Sequence, residues 1–182
     1  GGIIRRRKMM GEAVTRVTLA QAVIKGKRFD TLVEKATEIG VSTIIPLLTE
    51  RTEVTPSENK IKRWKRLARA AMKQSGRTLL PRIEQPFTLE KLLAGSLSYN
   101  KTLIAAAAGD SRPVREIFET KKKNENGVLI AVGPEGGFTS DELDQAREYN
   151  AVLVSLGQRR LRSETAGLVL LTQVLSYSDE LS

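Results

Sequence analysis

Cysteine and histidine are both absent from the 182 residues. Without cysteine there is no disulfide, no thiolate nucleophile and no Cys/His zinc site. Without histidine there is no Ser-His-Asp triad, and no imidazole to act as a general base near neutral pH. Aromatic residues are scarce, at 4%. No apolar run approaches the roughly 20 residues of a membrane span. The stretch from Gly1 to Met10 is basic and lacks the apolar core of a secretory signal, so a cytoplasmic protein is expected. Chemistry is left to carboxylates, Lys, Tyr, hydroxyls, backbone amides or a bound cofactor, with no metal expected.

What the chain does have is positive charge, unevenly spread. The net charge is +9 and the pI about 10.0, which favours a polyanionic partner. Residues 1–82 hold 19 basic and 7 acidic residues, whereas residues 83–182 hold 11 and 14. The first half is a cationic surface and the second half has another task. At 40% hydrophobic and 28% charged, the composition is that of an ordinary globular chain, long enough for one domain with an appendage.

Residues 1–16, with the run Arg5-Arg6-Arg7-Lys8, read as the tail of an earlier element or as a basic arm. The pattern is regular from residue 17. A β-prone run spans 17–24. Phe29, Leu32, Val33, Ala36 and Ile39 then recur at helical spacing, with Gly40 placed to close the helix. Residues 42–48 read as a buried strand and 49–57 as a loop. From about Ser57 to Ser75 an amphipathic helix carries Ile61, Trp64, Leu67, Ala68, Ala71 and Met72 on one face and lysines and arginines elsewhere. Further strands are expected over 101–108, 127–132 and 151–156, and short helices over 89–97 and 114–119. A polar turn is expected over 121–126, and a helix opened by the capping pattern Thr139-x-x-Glu142. Ser163 or Thr165 is the expected cap of a last apolar helix ending near Tyr177. Alternating strands and helices imply an α/β domain with a mostly parallel sheet.

Two segments are candidates for chemistry. Gly133-Pro134-Glu135-Gly136-Gly137 lies between a buried strand and a capped helix, where α/β sheets bind ligands. Its glycines allow close approach of the backbone, and the helix N-terminus favours negative charge. The segment is too short for a P-loop and is not G-x-G-x-x-G. A plain tight turn remains an alternative. Ser155 to Ala166, which includes Arg159, Arg160, Arg162 and Glu164, also joins a strand to a helix and belongs at the same sheet edge. Its arginines could clamp phosphate, and Glu164 could simply complement the positive helix end.

Together these strings resemble the ribosomal small-subunit methyltransferase E family. The resemblance extends to Lys25-Gly26-Lys-Arg-Phe-Asp30, Glu34 to Val41, Pro46 with Glu50-Arg51-Thr52, Arg63-Trp64 and Gln74-Ser-Gly-Arg77, and it covers roughly 17–178. It implies a SPOUT-type mostly parallel sheet flanked by helices, with a C-terminal trefoil knot. It also implies methylation of N3 of a uridine in 16S ribosomal RNA by S-adenosylmethionine, and a homodimer. Family members usually carry an N-terminal PUA-like barrel, most of which is missing here. Residues 1–16 would be its remnant and 17–182 the methyltransferase domain. Lys27 stands where an acidic residue is usual.

The cofactor pocket implied by the resemblance comprises the strand end at Ala105–Gly109 with Ala107, then Gly133, Pro134, Glu135, Gly136 and Gly137, then Leu156, Gly157, Leu161, Thr165 and Ala166. Deprotonating uridine N3 needs a base, and Glu164 and Glu135 are the candidates. Arg162 or Arg159 would stabilise charge on the uracil carbonyl oxygens. Arg63, Arg66, Gln74, Arg77 and Arg159 would grip RNA, free or in the small ribosomal subunit. Alternatives are a non-catalytic RNA- or ribosome-binding module, and a SPOUT enzyme acting on transfer RNA.

Overall fold

The computed structural model describes residues 12–118 and 127–178; the expected turn over 121–126 and most of the basic tail lie outside them. The elements run β1 (Val17–Ala22), α1 (Arg28–Ile39), β2 (Thr43–Leu48), α2 (Glu58–Gln74), β3 (Arg82–Ile83), β4 (Phe87–Thr88) and α3 (Leu89–Ser96). They continue with β5 (Lys101–Ala105), β6 (Arg112–Pro113), α4 (Val114–Ile117), β7 (Val128–Val132), α5 (Ser140–Glu148), β8 (Val152–Ser155) and α6 (Ser163–Tyr177).

The strands form one sheet in the order β3-β2-β1-β7-β5-β8-β6, with β4 also on β2. Every pairing is parallel, from Leu19 opposite Ile44 and Ile130 to Ala105 opposite Val132 and Val154. Parallel sheets are covered on both faces, so their strands read as continuous apolar runs. β7, Val-Leu-Ile-Ala-Val, is buried at all five positions. On one face Val17, Leu19, Ile44 and Ile130 pack under α1, α2 and α6. On the other, Ala20, Ile45, Leu129 and Leu153 pack with Leu92 and Leu93 of α3 and Ala146 of α5.

Local rules explain the helices. Ser57 accepts a hydrogen bond from the Lys60 amide and opens α2. Thr139 and Glu142 form the reciprocal capping box of α5. Trp64 of α2 is core, 1% exposed, with its ring 4.1 Å from that of Phe29 and its indole Nε1 donating to Asp30 Oδ1 at 2.9 Å. α6 departs from expectation. Its N-cap is Arg162, with no side-chain cap bond. The hydroxyl of Ser163 is diverted elsewhere, as described below, and Thr165 is exposed.

The chain leaves β8 on the far side of β5, then returns so that α6 packs on β1, β7 and α1. That return is the connection on which the resemblance locates the trefoil. Residues 12–16 are fastened to the sheet domain. The Arg16 carbonyl accepts from the Val128 amide at 2.8 Å, and the Glu12 carboxylate accepts from the Thr78 and Leu79 amides at 2.7 and 2.8 Å.

Candidate functional site at the carboxyl edge of the sheet

Because β7, β5 and β8 are adjacent and parallel, the loops that follow them emerge side by side at one edge. Ala107, the Gly133–Gly137 turn and residues 156–162 follow the ends of those strands. Ala107 and Gly157 are exposed, and Leu156, Leu161 and Ala166 are half-buried apolar groups. The Gly133 position is tight for a side chain. A Cβ there would lie 3.1 Å from the Gly137 carbonyl carbon and 3.2 Å from the Phe138 ring. The Gly137 amide donates to the Pro134 carbonyl at 2.9 Å, so the turn is closed on itself.

A buried polar chain holds this turn from below. Gln21 lies on the inward row of β1 with Val17 and Leu19, and is fully buried. Its Nε2 donates to Ser163 Oγ at 2.7 Å, and Ser163 Oγ donates to the Gly133 carbonyl at 2.5 Å. The first turn of α6 is thereby fixed to the glycine turn. Gln21 Oε1 has no partner and faces Gly167. The β-prone pattern over 17–24 does not single out Gln21; its one signal is an amide among the buried residues of β1.

Charged groups gather beside the turn. Arg28, in the first turn of α1, donates to Glu135 Oε1. That hydrogen bond, with the attraction of the guanidinium, holds the Glu135 carboxyl below the usual carboxylate range. Arg28 is raised in turn, first by its bond to Glu135, and it also feels the charge of Glu164. The charges of Arg162 and Lys25 act on Glu135 from further off. Glu164 is half-buried, and its Oε2 is buried without a hydrogen-bond partner. Arg51 donates to the carbonyl of Gly136. An open cleft of about 130 Å³ lies between Arg28, Arg51 and Glu135 and the residues that follow β1 and β2; Glu164 and Arg162 are not on its wall. Sequence reading assigned no role to Arg28 or Arg51, although both lie in the strings quoted above.

Of the residues expected to grip RNA, Arg63 and Arg66 project from the exposed face of α2, and Arg159 is exposed on the loop after β8. Arg63 is also tied to Asp30 at 2.8 Å, which brings it near the start of α1. Gln74 is exposed at the other end of α2, some 16 Å along the axis at about 1.5 Å per residue. Arg77 overturns expectation. Its side chain is 5% exposed. It donates to the Thr37 and Val41 carbonyls at 2.8 and 2.9 Å and to Glu12 Oε2 at 2.8 Å. A guanidinium with these partners is a structural clasp and not a phosphate contact. Glu135, expected as a candidate base, is ion-paired with Arg28.

The fold is an α/β domain in which a glycine turn and an arginine-rich loop follow neighbouring strands at the carboxyl edge of a parallel sheet. The chain belongs to the RNA methyltransferase domain family, whose model matches residues 11–175. It is 35% identical to ribosomal RNA small subunit methyltransferase E of Mesomycoplasma hyopneumoniae over 182 aligned positions, 95% of this chain and 75% of that protein. It is also 35% identical to the protein of the same name from Synechocystis, over 87% of this chain. The chain spans only about half, 52%, of that relative. Among solved structures, ribosomal RNA small subunit methyltransferase E of Neisseria gonorrhoeae, bound to S-adenosyl methionine, matches with TM-score 0.81 and 30% identity, over 91% of this chain and 68% of that one.

Proposed function

We propose that this chain is the catalytic domain of an S-adenosylmethionine-dependent methyltransferase that modifies N3 of a uridine in 16S ribosomal RNA. The observation that carries the reading is the convergence of three loops at one sheet edge, where the Gly133–Gly137 turn meets the arginine-rich segment before α6. The names of the relatives support the substrate, and the ligand of the Neisseria structure supports the cofactor.

The residues present suit that cofactor. Gly133 is tight for a Cβ, and Gly137 and Gly157 sit at φ of 68° and 106°, which favours backbone rather than side chains along the edge. Half-buried Leu156, Leu161 and Ala166 give the adenine apolar surroundings. When bound, S-adenosylmethionine supplies a methyl group already activated on a sulfonium.

The protein's own task is therefore at the uridine. N3 bears a proton and is a poor nucleophile until it is lost. Glu164 is the base in this reading, because the carboxylate of Glu135 is spent on Arg28. The Gln21–Ser163–Gly133 chain fixes Glu164, one residue beyond Ser163, relative to the turn. Arg162 and Arg159 offset negative charge on the base or its phosphates. The exposed cations of α2, Arg63 and Arg66 among them, hold the RNA backbone, so binding weakens steeply with salt. We further read the protein as a cytoplasmic homodimer, with the tail before residue 17 leading from a PUA-like barrel. Half-buried Leu168 and Val169 on α6 suit a subunit contact.

Calorimetric titration with S-adenosylmethionine, followed by mass mapping of 16S ribosomal RNA incubated with protein and cofactor, tests the function. Binding together with methylation at uridine N3 is expected. Absence of cofactor binding refutes it and leaves an RNA-binding module. Methylation of transfer RNA alone refutes the substrate. Glu164→Gln is expected to keep cofactor affinity and lose methyl transfer; unchanged turnover rejects Glu164 as base.

A further inference from the structure

We propose that the cleft between the ends of β1 and β2 and the glycine turn receives the uracil ring of the target nucleotide, with Arg28 donating hydrogen bonds to a uracil carbonyl. The inference rests on the function proposed above and adds the substrate's seat and a catalytic residue.

The apolar walls are Val23, Ile24, Val54 and Pro134; the charged groups on them are Arg28 and Arg51 with Glu135, and the ion pair of Lys25 with Glu53. A base taken out of RNA structure to be modified needs such a slot, with apolar faces for the ring and a few polar groups for its edge. The volume of about 130 Å³ equals some four waters, which suits one small planar ring. Both guanidiniums have donors to spare. Arg28 is bonded to one oxygen of Glu135, and Arg51 to the Gly136 and Phe138 carbonyls, out of five N–H groups each. Arg28 also feels the charge of Glu164, and its side chain is 35% exposed.

The chemistry of the ring edge matches these donors. Uracil presents carbonyl acceptors on either side of N3. Cytosine replaces one of them with an amine, which would face a guanidinium as donor against donor. When the Glu164 carboxylate takes the N3 proton, negative charge spreads to both carbonyl oxygens, and Arg28 is aimed at that charge. The N3 lone pair then bonds to the methyl carbon while the carbon–sulfur bond breaks toward sulfur. The sulfonium becomes a neutral thioether, and the proton on Glu164 passes to water.

The test measures methyl transfer to 16S ribosomal RNA across pH for the parent chain, Arg28→Ala, Arg28→Lys and Val54→Phe, with S-adenosylmethionine affinity measured separately. For Arg28→Ala, kcat at neutral pH is expected to fall about 100-fold, the usual loss for one oxyanion donor. The deficit shrinks as pH rises toward the range in which uridine loses its N3 proton unaided. Arg28→Lys recovers part of the rate, because one charge and fewer donors remain. Val54→Phe, which fills the slot, raises KM for RNA at least tenfold with cofactor affinity unchanged. In direct titrations of the parent chain, uridine 5′-monophosphate shifts the amide resonances of Ile24 and Val54, and cytidine 5′-monophosphate does not. An active parent whose Arg28→Ala variant loses rate equally at every pH, or whose Val54→Phe variant keeps its KM, overturns the cleft. A parent that binds no cofactor overturns the function itself.

Discussion

Replacing Arg77 with Ala separates a structural arginine from an RNA contact. The side chain is 5% exposed and its partner Glu12 only 2%. The substitution removes three interactions: the ion pair and the bonds to the Thr37 and Val41 carbonyls. Removing one member of a buried ion pair costs about 3–5 kcal/mol, because the other charge is left uncompensated. Glu12 keeps the Thr78 and Leu79 amides, which moves the expectation to the lower end, about 3 kcal/mol. For a domain of this size each kcal/mol moves Tm by about 2–4 °C, so a fall of roughly 6–12 °C is expected. Arg77→Lys should fall between, since one ammonium cannot span a carboxylate and two carbonyls. Glu12→Gln combined with Arg77→Ala should cost less than the sum of the two singles. Thermal unfolding followed by circular dichroism, with RNA affinity measured well below Tm, is the assay. An unchanged Tm with a tenfold loss of RNA affinity would refute the clasp and return Arg77 to the RNA surface.

Two further outcomes follow from the packing. Gly→Ala in a helix interior ordinarily gains about 1 kcal/mol, but Gly167→Ala should destabilise. Its Cβ would lie 2.3 Å from Gln21 Oε1 and 3.1 Å from Leu32 Cδ1. Overpacking of about 1–3 kcal/mol and loss of the Gln21–Ser163 bond outweigh the gain, and a raised midpoint in urea would contradict this. Acid should also unfold the protein through Glu12. Burial pushes its carboxyl up, but the Arg77 bond and the Leu79 and Thr78 amides outweigh that and hold it below its ordinary value of 4.5. A carboxylate depressed in the folded state stabilises above the unfolded value, and that stability is lost as pH falls through the folded value. Stability should be level from neutrality to about pH 5 and fall below it, with a shallower acid limb for Glu12→Gln. Identical limbs would remove Glu12 from the account.

Much of the fold was legible because local rules and burial agree. β7 is an unbroken apolar run, the spacing of Phe29 to Ile39 is helical, and Thr139-x-x-Glu142 is a complete cap. The glycine turn and the arginine-rich loop were legible as neighbours because both follow parallel strands. What escaped depends on partners distant in sequence. Arg77 belongs by composition to a basic helix end, and Glu12, 65 residues away, with the Thr37 and Val41 carbonyls makes it a clasp. Ser163 fits the pattern of a helix cap until the Gly133 carbonyl, 30 residues away, claims its hydroxyl. Arg28 gains its meaning from Glu135, 107 residues on. No periodicity encodes such pairings.

The place of β1 inside the sheet, between β2 and β7, has a consequence for synthesis. Its partner on one side, β2, follows within about two dozen residues, but its partner on the other, β7, begins at Val128, 106 residues after Ala22. At about 5–20 residues per second, a ribosome needs roughly 5–20 seconds to supply it. During that interval β1 presents a bare edge of hydrogen-bonding groups, the kind that recruits stray strands. The nascent half of this protein must therefore be shielded or stay loose, and its yield should depend on elongation speed and on chaperones more than its final stability would suggest.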